Sequence, residues 1–122
     1  MATIASETLT IEIAAPPEKV WKLITTASTI PSWYDGWDGV TDLPENGHLG
    51  VGSTFTLVDD YGSTGRVAFC HVVKVEPLVE LGWVESEPDE FPTTVMFSIS
   101  SADGLTSKLT LTKRTDAIDL SE

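Results

Sequence analysis

Leu9–Trp33, LTIEIAAPPEKVWKLITTASTIPSW, decides the fold of this chain. Leu9, Ile11 and Ile13 alternate with Thr8, Thr10 and Glu12, the period-two pattern of a strand with one buried face. Pro16 and Pro17 then end the ladder, since neither can donate a backbone hydrogen bond, and both suit the first turn of a helix. Glu18 follows at the positive helix end, and Val20, Leu23, Ile24 and Ala27 recur at helical spacing beside Trp21. Ile30-Pro31-Ser32-Trp33 closes the stretch as a second short helical turn or a bend. A strand running straight into a short one-sided helix requires a sheet for that helix to pack on.

The remainder supplies one. Turn signals at Asp35-Gly36, Asp38-Gly39 and Asn46-Gly47 frame a loop with one short strand near Val40 to Leu43. Further strands are expected near Ser53 to Asp59, Gly65 to Val75, Glu80 to Ser86, Thr93 to Ser100 and Leu105 to Lys113, an antiparallel meander. Odd positions carry the apolar residues: Phe55 and Leu57, Val67, Phe69, Val73 and Val75, Leu81 and Trp83, Val95, Phe97 and Ile99, Leu109 and Leu111. A turn about Gly62 would set Phe55 opposite Phe69, and one about Leu78 would set Val73 opposite Trp83. Later turns would set Trp83 opposite Phe97 and Ile99 near Leu109, which gives the sheet one apolar face and one Thr/Ser/Lys face. One short helix cannot cover that apolar face. A second helix, a ligand or a partner chain is expected on it.

The chain of 122 residues has the size of a single domain, residues 1–122. Its formal charge of −12 argues against nucleic acid and anionic membranes as partners, and disfavours anionic ligands unless a local positive group receives them. No apolar run is long enough for a membrane span, and the first residues lack a signal-peptide pattern. With Cys70 as the only cysteine, these features point to a cytoplasmic protein.

The order of these pieces resembles the helix-grip fold of the START and polyketide cyclase/dehydratase (SRPBCC) superfamily. The likeness rests on Ile11 to Trp21 (IEIAAPPEKVW), Ile30 to Trp33 (IPSW), Val51 to Phe55 (VGSTF), Val72 to Trp83 (VVKVEPLVELGW) and the closing hairpin Thr93 to Thr112. It implies an α+β fold, with a curved antiparallel sheet of about six or seven strands gripping short N-terminal helices around an apolar cavity for a small hydrophobic molecule. The superfamily includes cyclases, lipid carriers and a branch that activates a chaperone ATPase, so the fold alone selects no chemistry. Its usual long C-terminal helix is expected to be absent or truncated, because only Thr115 to Glu122 follow the last strand and such a helix needs on the order of 20 residues. Asp116 would cap at most a helical start containing Ile118 and Leu120. A homodimer or an open groove is expected in its place.

His71 and Glu85 interrupt the apolar odd face and lie equidistant from Leu78, so they would face each other on neighbouring strands. Such a pair could move a proton alpha to a carbonyl or assist a dehydration, as a cyclase or dehydratase would require. A bulge at Val72-Val73 would instead turn His71 outward. Trp33, Tyr34 and Trp37 crowd a loop at one end of the sheet and could form an aromatic mouth, although Trp33 taken alone is expected rather to plug the core under the first helix. Tyr61 sits in a hairpin tip, while Arg66 and Cys70 point outward by parity. The ligand-binding set is then Trp33, Trp37, Phe55, Leu57, Phe69, Trp83 and Phe97, with His71 and Glu85 as the catalytic pair. Asp35, Asp38 and Asp42 lack calcium-loop spacing, and His48, His71 and Cys70 make no zinc signature. Gly47 to Gly52 does not match a dinucleotide fingerprint. No metal or cofactor is expected. The function expected first is binding of a small hydrophobic molecule, and the alternative is a protein-interaction module of the chaperone-activator kind. A collapsed pocket with no ligand is the third.

Overall fold

The computed structural model describes residues 2–34, 36–59 and 66–117. The elements follow as β1 (Ala2–Ile13), α1 (Pro17–Thr25), a 3-10 turn (Ala27–Thr29), α2 (Ile30–Trp33), β2 (Gly39–Thr41), β3 (Thr54–Val58), β4 (Val67–Glu76), β5 (Glu80–Ser86), β6 (Thr93–Ser100) and β7 (Ser107–Ala117). The seven strands form one antiparallel sheet in the order β1-β7-β6-β5-β4-β3-β2. It curls into a half-barrel around the two short helices, the helix-grip arrangement expected from the sequence. Asp35, Tyr61, the turn about Gly62, and Ile118 and Leu120 lie outside the described residues.

Pro16 caps α1 in an extended conformation, and Pro17 opens the helix where its missing donor costs nothing. Val20 and Ile24 face the sheet and are buried with Ala27 and Ile30, whereas Leu23, expected on the same stripe, is exposed. The helix end is tied to the loop before β3: Leu49 donates its amide to the Thr25 carbonyl at 2.8 Å, and Ala27 donates to Gly47 at 3.0 Å. These bonds satisfy backbone groups that a short helix leaves open.

The expected parity holds for β3, β5, β6 and β7 and fails for most of β4. From its far end β4 begins as expected, with Val75 opposite Leu81. The register then shifts between Val72 and Lys74, a β-bulge that leaves Val73 unpaired and exposed. Beyond it Ala68, Cys70 and Val72 turn inward, while Phe69 and His71 turn out. Phe55 therefore pairs with Cys70, Val72 pairs with Trp83, and Glu85 pairs with Cys70. The inward placement of small residues has a volume reason. The rings of Phe55 and Trp83 already meet edge to face at 5.2 Å, and a third large ring at position 69 would overfill the layer. Trp83 pairs with Val95 and Leu81 with Phe97, a shift of two residues from expectation that keeps both aromatics on the inner side. Ile99 pairs with Leu109 as expected.

The last strand also differs from expectation. Asp116 does not open a helix: it is a buried strand residue whose Oδ2 accepts from Arg114 Nε at 3.1 Å. Residues 118–122, which follow β7, lie outside the described residues.

Candidate functional site on the concave face

The inner face divides in two. Across β3 to β6 the helices lie on it, and Phe55, Leu57, Leu81, Trp83, Val95 and Phe97 are fully buried. Trp83 sits at the centre, 5.0 Å from Phe97 and 5.7 Å from Tyr34, ring to ring. Across β7 and β1 the cover thins: Leu109 is still buried, Leu111 is half-buried, and Trp33 and Tyr34 border the strip. There Leu9 pairs with Leu111 and Ile11 with Leu109, yet Leu9 is 59% exposed and Ile11 46%.

Where the two halves meet, Trp33 stands edge-on to Phe97 at 5.4 Å. Its indole nitrogen donates to Thr29 Oγ1 at 3.2 Å, which fixes the ring at the end of α2. Together with Tyr34, Phe97, Leu109, Leu111, Leu9 and Ile11 it bounds a partly open groove of about 80 Å³. Ligand cavities commonly run to roughly 300 Å³ or more. Only one end of a guest could be enclosed, with the rest against Leu9 and Ile11.

A buried polar cluster backs this groove. Tyr34 donates its hydroxyl to Glu85 Oε1 at 2.7 Å, and Trp83 Nε1 donates to the same oxygen at 3.0 Å. Burial, reinforced by the neighbouring Glu85 carboxylate, pushes the Tyr34 hydroxyl far above the ordinary phenol range. Burial first and Glu85 second likewise push the Cys70 thiol up. Both groups therefore stay protonated at neutral pH. Lys113 Nζ lies 5.0 Å over the Tyr34 ring, and Lys113 pairs across the strands with Glu7.

The structure brings together only part of the site expected from sequence. Trp33 and Phe97 line the groove. Phe55, Leu57 and Trp83 are inner-face residues as expected, but they are sealed in the core. Trp37 is no mouth residue: it is buried, with the Arg66 guanidinium 4.1 Å over its ring. Arg66 does point outward, where Nε donates to Glu87 Oε1 at 3.0 Å, a bond that raises its pKa further. Cys70, expected outside, is inside. Phe69 and His71 are on the outer face, so His71 and Glu85 lie on opposite sides of the sheet and form no pair. The bulge at Val73 is the cause. Sequence reasoning missed Tyr34 as the partner of Glu85, and it missed Leu9 and Ile11 as groove residues although their alternation was plain.

A family model for the Activator of Hsp90 ATPase homolog 1-like protein matches residues 14–122. The chain belongs to the Activator of Hsp90 ATPase homolog 1-like family. This places it within the START-like, polyketide cyclase-type fold that its sequence resembles. No protein of curated function matches it. Among solved structures it is similar to the Zhui aromatase/cyclase from Streptomyces sp. R1128, with 17% identity and a TM-score of 0.72 over 94% of this chain and 70% of that one. A START superfamily protein from Mycobacterium smegmatis gives 16% identity and a TM-score of 0.71, over 96% of this chain and 80% of that one. DynU16, of the dynemicin biosynthetic locus, gives 18% identity and a TM-score of 0.69 over 96% of this chain, which spans 39% of its length. At these identities the likeness to these structures is one of fold. Among the described residues of this family member, no helix is long and apolar enough to cross a membrane, and no three His, Cys, Asp or Glu residues cluster to hold a metal.

Proposed function

We propose that the chain binds a small apolar or aromatic molecule along the open half of the concave face. The observation that carries this reading is the exposure of Leu9 and Ile11 beside a groove floored by Leu109, Leu111 and Phe97. Contiguous apolar surface of this kind marks a binding site more often than bare surface. One end of the ligand enters between Trp33, Tyr34 and Phe97, and its body lies on Leu9 and Ile11. Glu85 acts as a positioning residue: it holds the Tyr34 hydroxyl inward, so that the ring, not the oxygen, faces the guest. The reading is one of binding: the acid–base pair expected from sequence, His71 and Glu85, does not form.

Titration with N-phenyl-1-naphthylamine, a neutral apolar fluorophore, tests this. Saturable enhancement is expected, weakened roughly tenfold by Ile11→Asp through a charge set against the ligand's apolar body. Enhancement that is absent, or unchanged in Ile11→Asp, would contradict it. A second reading, docking of another protein or a second copy of the chain, draws on the free edge of the twelve-residue strand β1 beside the same apolar strip. It predicts that Ile11→Asp changes the mass of the complex in light scattering and leaves the fluorophore unaffected.

A further inference from the structure

The bulge at Val73 has a second effect, on the other side of the sheet. By turning Phe69 and His71 outward it builds a groove of about 550 Å³ on the outer face. Two rows of paired residues cross β3, β4 and β5 to make its floor: Thr56–Phe69–Ser86 and Thr54–His71–Val84. Asp42, just beyond β2, forms the rim, and its Oδ2 accepts a hydrogen bond from Thr56 Oγ1 at 3.0 Å. Phe69 is 56% exposed at the centre of this surface. The outer face is otherwise rich in Thr, Ser and Lys, and the fold does not need a phenyl ring there.

The aromatic and charged groups on this groove share one electrostatic sign. The face of the Phe69 ring is negative by its quadrupole, Asp42 contributes a carboxylate, and Thr54 and Ser86 contribute hydroxyl oxygens. His71 offers a ring nitrogen. Among the described residues no Lys or Arg lines the groove, and the chain as a whole carries a formal charge of −12. Anions are disfavoured. A cation with an apolar surface gains from the ring, the carboxylate and the long-range field together.

We infer that the outer-face groove is a binding site for an organic ammonium ion, with its cationic head over Phe69 and beside Asp42. It is separate from the concave groove and does not depend on the ligand proposed there.

Choline and its uncharged isostere 3,3-dimethyl-1-butanol, each titrated into the isotopically labelled chain and followed by amide chemical shifts, test the inference. Choline is expected to bind saturably in the millimolar range and to move the amides of residues 54–56, 69–71 and 84–86. The isostere is expected to bind more weakly, by roughly threefold or more. Phe69→Leu, which keeps an apolar side chain but removes the ring, and Asp42→Asn should each weaken choline by roughly threefold. Near-ultraviolet dichroism from the buried Trp83 cluster reports that both variants stay folded. Equal affinity for choline and its isostere would overturn the inference. So would variants that bind as the parent does, shifts confined to Leu9, Ile11 and Leu111, or no saturable binding.

Discussion

The two halves of the concave face are built from the same kind of residue and differ in what lies over them. Under α1 and α2, Trp83, Phe55 and Phe97 are wholly buried and packed ring against ring. On β1 and β7, Leu9, Ile11, Leu109 and Leu111 form an equally apolar surface with its outer members in solvent. Hydrophobic pattern alone therefore does not separate core from site. Coverage does: the first half is spent on stability, and only the second is available to a guest.

The sharpest test of this division is stability. Trp83→Ala, in the covered half, is expected to cost ~3–5 kcal/mol in chemical denaturation. Leu9→Ala, in the open half, should cost less than about 1 kcal/mol, because its side chain has little burial to lose. Similar costs at the two positions would remove the distinction.

A smaller effect probes the polar cluster between the halves. Glu85→Ala leaves the Tyr34 hydroxyl and the Trp83 indole nitrogen without their shared acceptor, at a cost of ~1–3 kcal/mol in the same measurement. Glu85→Gln keeps an acceptor oxygen and should cost less.

The smallest expected effect is alkaline. The folded Cys70 thiol is held above its ordinary range by burial, so the unfolded chain releases this proton first as pH rises. The stability this contributes is complete below about pH 8.5 and declines above it, by at most ~1.4 kcal/mol per pH unit. Cys70→Ala should flatten that decline in urea titrations between the ordinary thiol and phenol ranges. The sign follows from burial in the covered half. A thiol that reacts freely with alkylating reagents at pH 8 would show that this half opens.

Much of the fold could be read from the chain because its signals are local. The Pro16-Pro17 helix start, the Ile30-Pro31 turn and the alternation of β3, β5, β6 and β7 are set by neighbouring residues, and each took its expected form. The β4 register is not local. His71 interrupts the odd apolar pattern and the Val72-Val73 doublet marks where a bulge could fall, but only the fit of Ala68 and Cys70 against Phe55 and Trp83 decides that the strand must bulge. That single residue reversed His71, Phe69 and Cys70 and dissolved the proposed acid–base pair. Glu85 was legible as an inward polar residue, but its partner Tyr34 comes from a helix end 51 residues away, which parity cannot reach.

Methyl chemical-shift mapping with N-phenyl-1-naphthylamine tests the division of the concave face most directly. The methyl groups of Leu9, Ile11, Leu109 and Leu111 should shift saturably, while those of Leu57 and Leu81 stay in place. Shifts centred on Leu57 and Leu81, with Leu9 and Ile11 unmoved, would contradict it.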